Sequence, residues 1–309
     1  MWNKMRGLTG IATLVGLLSL TASASATNGP NTLGGRAKVY ESLDPSSLEH
    51  VTSASALSKE LRFQNVAPTR LWKLLEHGEK VECLECIPRV ARLLYDSNEK
   101  TREISAWWLR RRIFGVFGKG EVYSQVLAVL ANPRETPLRR SHAANAIGEF
   151  LNPAGVDAVS KAAVSDSAAR VRLASVKALE RLNSEGSDGA LGKALADNDE
   201  DVRLAAIHAA ISVNVFSSPE LVMHRFGDSS PLVRRRAAEA VGAMRLADAV
   251  VGLVALASEA KEHSPEVRAA AVWALGQIGD SAAKPAVQAA LSDSNTLVKN
   301  AATISLRRL

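Results

Sequence analysis

A short phrase that recurs along the chain constrains its fold more than any other feature. The phrase is an apolar residue, a basic residue and an Ala-rich run ending in a large aliphatic residue, as in VRLASVKAL (171–179). Seven basic residues mark its copies, with successive spacings of 37, 33, 31, 31, 34 and 31 residues. They are Arg102, Arg139, Arg172, Arg203, Arg234, Arg268 and Lys299. This near-constant period predicts stacked repeats.

Each copy predicts a pair of helices. Apolar residues such as Val171, Ala174 and Ala178 recur at intervals of three and four, which gives one continuous apolar stripe on the second helix. A shorter helical segment precedes it, and alternating strand patterns are absent from the sequence. One pair cannot cover its own apolar face, so neighbouring pairs must stack. The expected fold is an all-α solenoid of about seven helix-turn-helix repeats.

An acidic residue stands six positions before the basic residue in most copies. We expect these charges to join neighbouring units as a structural ladder of charge-assisted hydrogen bonds. In two copies Pro133 and Glu262 occupy the Asp position, and the sequence predicts less regular packing there. The ladder residues are Asp96, Arg102, Asp166, Arg172, Asp197, Arg203, Asp228, Arg234, Asp293 and Lys299.

The segment DNDEDVRLAAIHAA (197–210) carries both the acidic–basic spacing and the Ala-rich phrase. It resembles HEAT repeats of the short type that also occurs in phycobilin lyases, and the resemblance covers about residues 85 to 309. The resemblance implies the solenoid fold, whereas its implications for function are weak because such solenoids serve many roles.

Deoxyhypusine hydroxylase shares this kind of helical repeat, and that similarity implies a di-iron site built from His-Glu pairs. None of the six histidines of this chain is followed by Glu, so the pairs are missing. The sequence also has no Gly-rich phosphate loop and no nucleophile elbow. We therefore expect a protein that is not an enzyme and needs no cofactor or metal.

The N-terminal residues predict export. Lys4 and Arg6 precede a 14-residue apolar run, and the small residues of TASASA favour cleavage after Ala26 or Ala24. Removing residues 1–26 takes away two of the 38 basic residues and none of the 32 acidic ones, leaving a net charge of 36 − 32, or +4. Both export and this small charge argue against nucleic acid as a partner. We expect a periplasmic or extracellular protein without a membrane span after cleavage.

Composition divides the remaining chain in two. Residues 27–66 are rich in Gly, Asn, Pro and Ser, and predict a flexible N-terminal arm. Residues 67–309 are helix-forming throughout and predict the solenoid, with 67–84 as its N-terminal cap. Terminal repeats need such a cap because one of their faces has no neighbouring repeat.

Aligning the copies on the basic residue identifies a variable helix face. One and five positions later, the residue type changes freely between copies, which is typical of an exposed surface. Second helices line the concave surface of such solenoids, the usual binding surface. An ordinary solvated face is the alternative, although exposed Trp favours recognition. The candidate binding residues are Trp107, Arg140, Lys177, His208, Arg235, Glu239 and Trp273.

Both cysteines of the chain, Cys83 and Cys86, lie in VECLECIP (81–88). A zinc site needs about four ligands, and the chain has only two thiols. A thioredoxin-like site would follow a strand, and the sequence shows none. Haem attachment requires His at position 87, which is Ile. A local disulfide is the leading interpretation for an exported protein. A reactive dithiol is the alternative.

Together these patterns predict a non-enzymatic scaffold that binds a protein, or less favourably an anionic envelope polymer, along its concave second-helix face. The alternative is a redox or cofactor-handling accessory protein, lyase-like or thiol-based, that acts through Cys83 and Cys86.

Overall fold

The computed structural model describes Leu48 and residues 51–61, 67–112, 120–214 and 216–309. The predicted signal peptide, residues 1–26, and most of the predicted arm lie outside these residues.

Every regular element among the described residues is a helix, and no strand occurs there. The predicted all-α solenoid is confirmed. Two helices, α1 (Ala54–Glu60) and α2 (Pro68–His77), precede seven helix pairs. The first helices are α3 (Ile87–Arg92), α5 (Glu121–Ala131), α7 (Val156–Ser165), α9 (Asp188–Ala194), α11 (Glu220–Met223), α13 (Val250–Leu256) and α15 (Lys284–Ala289). The second helices are α4 (Glu99–Arg110), α6 (Pro137–Phe150), α8 (Ala169–Leu182), α10 (Glu200–Ser212), α12 (Pro231–Ala243), α14 (Pro265–Ile278) and α16 (Thr296–Ser305).

Capping residues explain where the second helices begin and end. The Ser230 and Ser264 hydroxyls accept hydrogen bonds from backbone N–H groups in the first turns of α12 and α14. A proline follows each of these serines at the first helical position, which needs no N–H. Gly279 ends α14 in the left-handed conformation, with φ 77°. The polar breaks between repeats therefore set the helix boundaries.

Residues 51–61 depart from the flexible arm predicted for 27–66. They contain α1, and the side chains of Val51 and Leu57 are fully buried in the core. Ser53 caps the helix by accepting a hydrogen bond from the Ala56 N–H. The Ser-rich composition suggested disorder, but Val51, just before the helix, and Leu57, within it, pack this segment against the core.

Small residues let neighbouring second helices approach closely at three joints. A Cβ atom on Gly148 would lie 2.8 Å from Ala178 Cα, and one on Gly242 would lie 2.7 Å from Ala274 Cα. Gly276 faces Ser305 in the same way. The equivalent positions of α4, α8 and α10 hold Arg110, Glu180 and Ile211. The joints of these three helices with their following neighbours therefore lack the glycine contact.

A second regular feature, a ladder of arginine–carboxylate pairs, joins the repeats. Arg172 donates from Nε and Nη2 to both carboxylate oxygens of Asp197 in the next repeat, at 2.7 and 2.8 Å. Its Nη1 donates to the backbone carbonyl of Asp166, in the turn of its own repeat, at 2.9 Å. Each such arginine thus links two consecutive inter-helix turns. The pairs are Arg140–Asp166, Arg172–Asp197, Arg203–Asp228, Arg234–Glu262 and Arg268–Asp293.

The ladder corrects several details of the sequence prediction. Its basic residue is the fourth residue of every second helix, and in α6 that residue is Arg140, not Arg139. The acidic position of that repeat is therefore Arg134, not Pro133. The prediction of a less regular joint at Glu262 is wrong, because Glu262 accepts from Arg234 at 2.6 and 2.8 Å.

The two ends of the predicted ladder behave differently from its middle. Lys299 is exposed, and the Asp96 carboxylate accepts only from the Asn98 backbone N–H; neither side chain forms a ladder pair within the described residues. Arg102 donates to the carbonyls of Asp96 and Ser97 and reaches no carboxylate in the described part of the chain.

Burial and charge set the electrostatics of the ladder. Hydrogen bonds from Arg268 lower the pKa of Asp293 below its usual value, and both side chains are almost completely buried. Such a carboxylate stabilises the fold above its unfolded-state pKa of about 4. The contribution is lost as the pH falls through the lower folded-state pKa, so the solenoid should lose stability in acid.

We predict that Gly148→Ala lowers the free energy of unfolding by about 1–3 kcal/mol, because its new methyl group meets the α8 backbone. Gly189→Ala is the matched control: no atom lies within 4 Å of its added Cβ. The control variant should gain up to about 1 kcal/mol from helix propensity. Urea unfolding measures both, and an equal effect of the two changes would contradict the close approach.

We also predict that Asp197→Ala lowers the free energy of unfolding by about 1–3 kcal/mol, because Arg172 loses its carboxylate partner. A double-mutant cycle between Arg172 and Asp197 should give a coupling of about 0.5–3 kcal/mol. The cycle between Arg203 and Asp197 should give a smaller coupling, since Arg203 contacts only the backbone carbonyl of that residue. A larger coupling for Arg203 and Asp197 than for Arg172 and Asp197 would instead place the stabilising pair within one repeat.

Candidate functional site

The second helices of the last five repeats enclose a groove of about 1440 Å³. Its walls come from α8, α10, α12, α14 and α16, so it runs across the repeats and not along one helix pair. The groove lies on the face of the second helices that the sequence predicts to bind a partner. At its C-terminal end, the contacts of α12 with α14 and of α14 with α16 each contain one of the closely packed glycines. The contacts of α8 with α10 and of α10 with α12 contain none.

Apolar side chains form much of the groove surface. Leu232, Leu297 and Ile304 are 40%, 51% and 55% exposed, and Ile211 is 44% exposed. Trp273 is half-buried beside them and packs against the core. Exposed aliphatic residues collected in one concavity are typical of an interaction surface, whereas isolated ones are ordinary.

Charges of both signs surround the apolar residues. His208 Nδ1 lies 2.8 Å from the carboxylate of Glu180 on the neighbouring helix. Glu239 bridges Arg235 and Arg236 on its own helix, at 3.2 and 2.7 Å. Lys177 is exposed at the N-terminal end of the groove. The mixed arrangement suits a ligand that carries apolar and charged groups together.

The structure brings together five of the seven predicted binding residues. Lys177, His208, Arg235, Glu239 and Trp273 all line the groove.

The other two predicted residues lie elsewhere. Trp107 is half-buried on α4, outside the groove lining. The prediction that Arg140 lies on the exposed face is wrong, because its side chain is buried and paired with Asp166. The one-residue error in aligning LRRSHAANA (138–146) placed Arg140 in the variable column.

A further set of groove residues was not predicted from the sequence. Leu232 and Leu297 stand two positions before the ladder residue, and the same position holds Asp201 in α10 and Glu266 in α14. The residue type at this position varies between repeats as freely as it does one and five positions after the ladder residue. It carried a usable signal, since position −2 faces the same side of the helix as positions +1 and +5.

Cys83 and Cys86 form the predicted local disulfide, with 5.3 Å between their Cα atoms. Both residues are buried, at 1% and 0% exposure. The Cys83 sulfur lies 3.4 Å from the Ala54 carbonyl oxygen of α1. The pair thus forms part of the packed N-terminal end, far in sequence from the groove residues.

Two further observations bear on the kind of site. Among the described residues, no group of three or more His, Cys, Asp or Glu side chains is placed to hold a metal ion. No helix in the described part of the chain has the length and apolarity needed to cross a membrane.

Comparison with known proteins agrees with this architecture. The HEAT-repeat family matches residues 123–211 and 218–307, more than half of the chain. The chain therefore belongs to the HEAT-repeat family. No curated protein matches it at a significant level.

Several solved structures are similar to this chain. Protein YibA of Escherichia coli is 19% identical, with 89% of this chain and 96% of that chain covered and a TM-score of 0.54. Human deoxyhypusine hydroxylase is 20% identical, with coverages of 91% and 99% and a TM-score of 0.37. The CpcE–CpcF complex of phycocyanin lyase from Nostoc is 19% identical, with coverages of 72% and 86% and a TM-score of 0.38. At this low identity, the similarity to YibA shows the fold alone.

We predict that the cysteines of the native protein resist alkylation, because they are bonded and buried. Cys83→Ala with Cys86→Ala should cost little stability, since the closed loop is very short. Mass spectrometry after alkylation measures the first result, and thermal unfolding measures the second. Rapid alkylation of one cysteine at low pH after mild reduction would instead indicate a reactive thiol.

Proposed function

We propose that the protein is a non-enzymatic scaffold that binds a polypeptide partner in the groove formed by α8, α10, α12, α14 and α16. The observation that carries the proposal is the collection of exposed aliphatic side chains around Trp273 in one concavity. Burial of such a surface supplies affinity, and the surrounding ion pairs supply specificity.

The charges of the groove favour a protein over an anionic polymer. Asp201, Glu239 and Glu266 line the groove together with its basic residues. A polyanion would meet these carboxylates at close range, which costs free energy through like-charge repulsion. A polypeptide with apolar and mixed charged side chains meets no such penalty.

The proposed location is the cell envelope or the extracellular space. Its support is the basic start, the 14-residue apolar run and the small residues that end at Ala26. Fractionation of cells that express the full chain, followed by N-terminal sequencing, tests this part. Recovery of the intact N-terminus in the cytoplasmic fraction would contradict it.

Burial of the disulfide supports the scaffold over a thiol-based accessory role. A catalytic disulfide must be reached by an attacking thiolate, and access is one determinant of the exchange rate. Cys83 and Cys86 have almost no exposed surface. The alkylation measurement described above decides between these two functions.

We predict that Trp273→Ala lowers the capture of the partner from envelope extract by about tenfold or more, as expected for a central aromatic contact. Trp107→Ala is the matched control, because it removes the same side chain from a half-buried position outside the groove. Circular dichroism should show that both variants remain folded. Equal losses for the two variants, or none for Trp273→Ala, would contradict binding in the groove.

A further inference from the structure

One ladder arginine differs from the five that form carboxylate pairs. Arg102 makes the first half of the arrangement, donating from Nη1 to the Asp96 and Ser97 carbonyls at 2.7 and 3.0 Å. In each of the five paired arginines, the remaining guanidinium N–H groups bind a carboxylate of the next repeat. In the next repeat after Arg102 that register position holds Arg134. Within the described residues, Arg102 therefore has no carboxylate partner.

The surroundings of Arg102 add positive charge. Arg102 lines a cleft of about 470 Å³ between α4, α6 and α8, together with the exposed Arg170 and the buried His142. Burial, followed by the charges of Arg102 and Arg170, lowers the pKa of His142, so this imidazole is neutral at neutral pH. The two guanidinium groups and this buried side chain thus line the same cleft.

The acidic residues of the cleft are mostly engaged by other bases. Glu103 pairs with Lys100 at 2.9 Å, and Glu149 pairs with Arg181 at 3.1 Å. Glu99 is exposed at the start of α4. Arg170 forms no ion pair within the described part of the chain, so the positive charges of Arg102 and Arg170 are not neutralised by a direct partner.

We propose that Arg102 binds a carboxylate that belongs to an acidic side chain of the bound polypeptide partner. The backbone carbonyls of Asp96 and Ser97 already orient the guanidinium, which reduces the entropy lost on binding. A bidentate, charge-assisted pair then forms with the partner as it does between repeats. This inference rests on the proposed function, and it adds an acidic group to the partner's chemistry. The cleft adjoins the N-terminal end of the groove, because Leu173 and Lys177 line both.

The first experiment uses succinate as the carboxylate probe, with sodium chloride at equal ionic strength as its control. Thermal unfolding of the full chain should show a saturable rise in Tm with succinate, as ligand linkage requires. Arg102→Gln should abolish the rise. A rise that is equal in sodium chloride, or that persists in Arg102→Gln, would overturn the proposal.

The second experiment supplies the carboxylate from within the chain and does not depend on how well Arg102→Gln folds. Arg134→Asp places an acid at the register position used by the other repeats, and Arg134→Ala is its matched control. Arg134→Asp should have a higher Tm than Arg134→Ala, should not respond to succinate, and should lose affinity for the partner. Equal Tm values, or an unchanged response to succinate, would contradict a carboxylate site at Arg102.

These measurements separate the two proposals. Succinate binding requires no partner, so it tests the Arg102 site even if Trp273→Ala leaves partner capture unchanged. Conversely, capture that depends on Trp273 but not on Arg102 would retain the groove and overturn the carboxylate site.

Discussion

The arginine–carboxylate pair between consecutive repeats is the interaction on which the rest of this structure depends. A pair of helices buries only part of its apolar surface, so the fold exists only while neighbouring pairs stay in register. Arg172 illustrates how that register is held, because one guanidinium joins the carbonyl of its own turn to the Asp197 carboxylate of the next. Loss of one partner would leave a largely buried charge, which costs more than the pair contributes.

The shape of the groove depends on which residue stands at each joint beside the ladder. Gly242 and Gly276 bring the C-terminal second helices into backbone contact. Glu180 and Ile211 occupy the equivalent positions in α8 and α10, where their side chains face the groove instead. The same helical position therefore either closes a joint or contributes a side chain to the groove, depending on whether it is occupied by glycine.

The ladder also connects the scaffold with its proposed function. Five arginines pair with carboxylates of the chain itself, on the same second helices that carry the exposed residues of the groove and the cleft. Arg102 has the same position and the same contacts to its own turn, but faces a basic residue in place of an acid. A structural motif thus becomes a candidate recognition site through the loss of a single internal partner.

The sequence by itself determined the solenoid, its seven repeats and most of the groove face, because all of these follow from a period and from helical spacing. It favoured a local disulfide and left a reactive dithiol as the alternative. It could not decide that Arg140 and not Arg139 enters the ladder, since two adjacent arginines fit the phrase equally and only the helix start resolves them. Tertiary structure also decided that each carboxylate pairs with the preceding repeat, and that Glu262 substitutes for Asp. These outcomes depend on distances between residues some 25 or more positions apart, which a local pattern does not contain.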